Sequence, residues 1–162
     1  MPLIPNTLDE NEGVVIAVGF MSRLFGGASG PDPYVARQRP VGAGYSGSVI
    51  VVGTEYRQPA VAAAIKAMAG GETLAFLEAE PSNPHDRLAV RVIVAGATIG
   101  YLSAAQARRY QSAVALAAQR SEFIAVRAYA DSVPGSSIVH LKLRLPDAKD
   151  VVRELETAYA AG

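Results

Sequence analysis

The stretch from Glu80 to Leu102 constrains the fold more than any other part of the chain. It opens on Glu80-Pro81-Ser82-Asn83-Pro84-His85-Asp86, a polar segment carrying two prolines. Each proline locks its own φ and pushes the residue before it into extended geometry, so no helix passes through. Leu88, Val90, Val92 and Val94 then alternate with Ala89, Arg91 and Ile93. A period of two is a strand with one wetter face. Gly96 turns the chain and Thr98 to Leu102 returns, which predicts a β-hairpin.

The same reading extends to both sides. Ser48 to Gly53 is short and β-branched, and is expected to be a buried strand. Gln58 to Met68 has Val61, Ile65 and Met68 at helical spacing, and Gly70-Gly71 stops it. Thr73 to Ala79 reads as a strand. Ser103 caps a helix running to about Ala118, with Ala107, Tyr110, Val114 and Ala117 or Ala118 on its apolar face. Phe123 to Ala130 and Ile138 to Leu145 are strands split by Val133-Pro134-Gly135-Ser136. Pro146-Asp147 starts a last helix with Val151, Val152, Leu155 and Tyr159 on one face. The order β-α-β-β-β-α-β-β-α predicts a mainly β, α+β fold. Its form is a small, partly closed, OB-like antiparallel barrel with two to three helices.

Residues 26 to 47 are dense in Gly and Pro and read as a linker. Residues 1–46 are therefore expected to be an extension and linker, and 47–162 the compact domain. Ahead of the linker, Val14 to Phe25 is apolar. It reads either as a short helix that docks on the body or on a protein partner, or as a loose tail. Gly26-Gly27 and Gly30 lack the Lys-Ser/Thr of a phosphate loop.

Charge and composition exclude several classes. The chain has 15 Lys plus Arg against 15 Asp plus Glu, which argues against a basic protein that coats DNA. All but Lys66, Lys142 and Lys149 of those cations are Arg, suited to bidentate phosphate contacts but equally a mark of a GC-rich genome. With no Cys, disulfides and thiolate-bound zinc are excluded. His85 and His140 sit in no metal-ligand motif, so neither metal nor cofactor is expected. No run approaches a membrane span, and the acidic start Asp9-Glu10-Asn11-Glu12 is unlike a signal peptide. A cytoplasmic protein is the expectation.

The turn from Asn83 to Asp86 is the sharpest candidate for function. Asn83 and Asp86 can bond nearby backbone amides, which makes holding the loop a sufficient reason for both. A lone motif carboxylate without a paired acid, a metal-ligand set or a nucleophile–base pair makes an enzyme unexpected. Tyr101 and Tyr110 are expected in or near the core. Arg57, Arg87, Arg108 and Arg109 read either as solvated charge or as phosphate contacts. His140 alternates with Val139 and Leu141 and is expected to face solvent or a polar neighbour.

These residues resemble the signature of the HIRAN domain, a small β-rich module found alone in bacteria and fused to helicase-like repair proteins in eukaryotes. The matching positions are Glu80, Pro81, Asn83, Pro84, His85 and Asp86, then Ala89, Val90 and Val92, then Gly100, Tyr101 and Leu102. Upstream, Val52-Gly53-Thr54-Glu55-Tyr56 matches, as does Ala107. The resemblance covers roughly residues 48 to 145.

It implies a module that grips the 3′ end of single-stranded DNA in repair or replication-fork processing. By motif position Asp86 would accept a bond from the terminal 3′-hydroxyl, Tyr56 would stack on a terminal base, and His85 would stand in for a second aromatic. Asn83, Tyr101, Arg57 and Arg87 complete the expected DNA-binding set. Glu55 and Ala104 stand where the best-understood eukaryotic relative is basic, and Tyr101 where it has His. Those departures, with the neutral charge, support the alternative: a protein-interaction or regulatory domain that has kept the fold and lost DNA.

Overall fold

The computed structural model describes residues 32–42, 44, 47–132 and 134–162. The apolar segment Val14 to Phe25 lies outside them. Contacts group Pro33–Gly162 as one compact unit. It contains helix α1 (Pro33–Ala36), strand β1 (Gln38–Pro40), strand β2 (Ser48–Ile50) and a 3-10 turn (Thr54–Tyr56). There follow α2 (Gln58–Met68), β3 (Glu72–Ala79), β4 (Val90–Val94) and β5 (Ala97–Tyr101). Helix α3 (Ala104–Gln119), β6 (Phe123–Ser132), β7 (Val139–Arg144) and α4 (Ala148–Ala160) complete it.

The strands form one sheet in the order β2-β7-β6-β3-β4-β5, antiparallel throughout that path. The path curls back on itself. Val51 N donates to Leu141 O on β7 (2.8 Å), and Val52 exchanges two 2.9 Å backbone bonds with Tyr101 on β5. One bridge thus joins the first and last strands, giving the partly closed α+β barrel expected from the sequence. Gly100 makes this seam possible. A Cβ there would stand 2.7 Å from Val51 Cγ1 and closer still to the Val52 carbonyl oxygen.

Inward-facing Val51, Leu77, Val90, Val92, Ile99, Ile124, Val126, Leu141 and Leu143 fill the barrel. Val61, Ala64 and Met68 of α2 join that core, as do Ala107, Tyr110, Val114 and Ala117 of α3 and Val151 and Leu155 of α4. Small alanines let α3 approach the strands closely. The buried Tyr110 hydroxyl donates to the Pro146 carbonyl. Burial pushes the Tyr110 phenol well above its ordinary value. Ser103 caps α3 as expected, accepting from Gln106 N at 3.3 Å. Asp147 does the same for α4 through Lys149 N at 2.9 Å.

Several expectations need correction. Ser48–Ile50 is an edge strand rather than a buried one, with Ile50 44% and Val52 39% exposed. Only its inward residues meet the core. The hairpin strand begins at Val90, and Leu88 is left exposed in the turn. The outer face of β4 is wet at Arg91 only. Ile93 is buried with Phe76 and Ala125 beneath Tyr34, Leu74 and Phe123.

Part of that cover, Tyr34, comes from residues with the composition of a linker. Tyr34 of α1 packs its ring 5.7 Å from Phe76 and 4.6 Å from Phe123. β1 pairs parallel with Phe123–Ala125 of β6. Arg39 holds Glu122 through two bonds of 2.7 and 2.8 Å. Periodicity misses such short elements because three or four residues carry no pattern. It also misses the bulge at Ile99: Val92 faces Gly100 while Ile93 faces Thr98. The extra residue buries Ile99 and carries Tyr101 to the seam.

Candidate nucleic-acid interface

Barrel stagger brings the end of β2 beside the end of β5. The chain leaves β2 through Gly53, whose φ of 79° a side chain would strain. It then forms the turn Thr54-Glu55-Tyr56. Thr54 is fully buried. Its carbonyl accepts from Gln58 Nε2 at 2.8 Å, and its hydroxyl lies 3.5 Å from His140 Nδ1. His140 thus faces a polar neighbour. Two residues on, Tyr56 is 86% exposed. A large ring is held out in water by a turn that is anchored underneath.

The second loop, residues 80–89, is built from its own polar groups. Asn83 Oδ1 accepts from His85 N (2.9 Å) and Asp86 N (3.1 Å), and Asn83 Nδ2 donates to Glu80 Oε2 (2.8 Å). Asp86 Oδ1 accepts from Leu88 N at 2.9 Å. Backbone bonds Glu80 N to Ala89 O and Ala89 N to Asp86 O close the loop. Holding the turn is therefore a real task of both residues. Asp86 keeps its second carboxylate oxygen without a hydrogen bond among the described residues, and the side chain is half-buried.

Tyr101 connects the two loops. Its hydroxyl lies beside the Glu80 carboxylate. Arg57, the residue after Tyr56, reaches the same hydroxyl at 3.5 Å with its guanidinium 5.7 Å from the ring centre. The bond from Asn83 holds the Glu80 carboxyl below the ordinary range against the opposing pull of burial, and the Tyr101 hydroxyl adds to it. Burial, then the neighbouring Glu80 carboxylate, raises the Tyr101 phenol. Tyr101 is therefore half-core and a member of the site at once.

Of the expected site residues, Arg57 reaches Tyr101, and Tyr101 and Asn83 meet at Glu80. Asp86 joins them through Asn83. The rings of Tyr56 and His85 and the Arg87 side chain stand exposed beside this network. Glu80 is the member that the sequence reading left out of the site. Its spacing of three from Asn83 was the available signal. Gln111 was also missed: its amide donates to Leu88 O at 2.7 Å and fixes the loop on α3. Arg108, one helical turn earlier, is exposed on the same side. Among the described residues no group of three or more His, Asp or Glu is placed to hold a metal ion. No helix among them is long and apolar enough to cross a membrane.

Fold and site together define a small OB-like barrel that presents two ordered loops at its seam. Residues 45–154, about two thirds of the chain, match the HIRAN domain family model. The chain belongs to the HIRAN family, whose domains are generally nucleic-acid-binding. No curated protein and no solved structure is detectably similar to it.

Proposed function

We propose that this domain binds the 3′ end of single-stranded DNA as a binding module, without catalysing a reaction. The observation that carries the reading is the pairing of an exposed Tyr56 on a pinned turn with Asp86 in the adjoining loop. Stacking on such a ring contributes about 1–3 kcal/mol per base whatever the sequence. The open carboxylate oxygen of Asp86 accepts a charge-assisted bond from a terminal hydroxyl. It repels the phosphate that follows every internal hydroxyl, which separates an end from an interior. His85 offers a second, smaller stacking face. Arg57 and Arg87 supply charge for the backbone, and Asn83 and Tyr101 hold the groups in place. The family resemblance supports a role in repair or replication-fork processing.

A second reading, a protein-interaction domain that has lost DNA, is favoured by two observations. Ile50 on the edge strand and Val52 at the seam are exposed, and the chain has no net charge.

The test is fluorescence anisotropy at low salt with short single strands ending in a 3′-hydroxyl or a 3′-phosphate. The expected result is preference for the hydroxyl, abolished in Asp86→Ala. Tyr56→Ala is expected to weaken both ligands roughly tenfold or more. No binding of either strand by the folded protein overturns the reading and leaves the interaction domain.

A further inference from the structure

Away from the two loops, Arg127 on β6 and Arg144 on β7 lie directly opposite each other. Opposed residues share a face of the sheet with Cβ atoms about 5 Å apart, and like charges so placed weaken the pairing. The surroundings treat the two arginines differently. Arg144 is set in place: its Nε bonds Glu72, and its guanidinium lies 4.9 Å from the Tyr129 ring centre. Tyr129 is fixed in turn by a 2.6 Å bond from its hydroxyl to Ser48 Oγ. Arg127 is exposed and has no ion pair or hydrogen bond among the described residues. Arg39, Arg91, Arg144 and Arg153 each meet a carboxylate. Glu72 offsets one charge of the opposed pair and leaves the other.

One guanidinium held rigid by its neighbours, one free beside it and two hydroxyls at their base form an arrangement suited to a phosphate group. Its several oxygens can be shared by two planar forks. The same face of β7 carries Lys142, paired with Asp131 at 3.0 Å, and then His140. His140 touches Thr54 in the turn that bears Tyr56. The arginine pair therefore stands four residues along one strand from that turn, about 14 Å.

We propose that Arg127 and Arg144 form a phosphate subsite on the outer face of the β6–β7 hairpin. It holds the backbone of a nucleic-acid strand a few nucleotides from the end seated at Tyr56 and Asp86. The seating of the end rests on the function proposed above; recognition of a phosphate rests on the pair itself. The Lys142 and His140 positions continue the strand's course between the two places.

Two measurements test this. The first follows the arginine Nε–H signals by NMR while inorganic phosphate is added. The second measures anisotropy against salt for strands of three and of twelve nucleotides ending in a 3′-hydroxyl or a 3′-phosphate. Arg127→Ala changes an exposed residue and is expected to leave the fold intact. It is expected to abolish the phosphate-induced shift at Arg144. For the long strand it should reduce the salt slope by about one. Binding of the short strand and the hydroxyl preference should stay as in the unaltered protein. An unchanged slope with the long strand overturns the proposal, as does failure of the unaltered protein to bind that strand. A phosphate shift without any gain from strand length assigns the pair to a free phosphate compound and overturns the strand assignment. Equal binding of hydroxyl and phosphate ends, with the slope change present, overturns end recognition alone.

Discussion

The two loops at the barrel seam reach fixed shapes by opposite means. The Thr54–Tyr56 turn makes few bonds of its own. It is positioned from below, by burying Thr54 and by the closure of β2 on β5. The 80–89 loop is nearly self-sufficient, since Glu80, Asn83 and Asp86 satisfy its amides locally. One loop inherits its order from the tertiary fold, and the other carries it in its sequence. A strand end held by both would feel damage to the barrel through Tyr56 and damage to the local bonds through Asp86.

The largest expected effect comes from the seam. In Gly100→Ala the added methyl meets Val51 Cγ1 and the Val52 carbonyl, so β2 must move off β5. Overpacking and two lost backbone bonds predict a loss of about 3 kcal/mol in chemical denaturation. Amide exchange would show which loop suffers. The comparison requires the protection of Arg57 N to fall far more than that of Asp86 N. Equal loss in both loops would break it.

Asn83→Ala should do the reverse. Three side-chain bonds disappear from the 80–89 loop, with an expected cost of about 1–3 kcal/mol. The Thr54–Tyr56 turn should keep its exchange pattern. Tyr56→Ala is the counterpart: an exposed ring supports no packing, so stability should stay within about 0.5 kcal/mol while strand binding falls. If Asn83→Ala instead unfolds the seam, the loop is not self-contained.

The same division explains what the sequence disclosed. The 80–89 loop was legible because its order is local: prolines, an Asn and an Asp at turn spacing announce it. The strands and three longer helices were legible through periodicity, with limits that moved by one to three residues. What stayed hidden depends on contacts distant in the chain. Nothing near Gly100 announces that Val52 will lie against it. Nothing near Tyr34 announces that Ile93 will need a cover. The opposition of Arg127 and Arg144 exists only once β6 and β7 are in register. Tyr101 could be placed near the core from its strand, but its link to Arg57 and Glu80 needed the seam.

The smallest effect isolates the joint between the loops. Glu80 accepts from Asn83 and has the Tyr101 hydroxyl beside it, and its carboxyl is held below its ordinary value in the folded protein. A lowered folded pKa means the bonds contribute fully above the ordinary carboxyl range, about 4.3. The contribution is lost as pH falls through the folded value, because a protonated carboxyl is a poorer acceptor for both donors. The Asn83 side-chain amide signals should therefore shift on acidification below that range, together with signals from Arg57. Glu80→Gln keeps an acceptor without a titrating group, and its Asn83 signals should lack that transition. Coupled movement at Arg57 is the decisive part. If Asn83 responds and Arg57 does not, Tyr101 is a neighbour of both loops rather than the link between them.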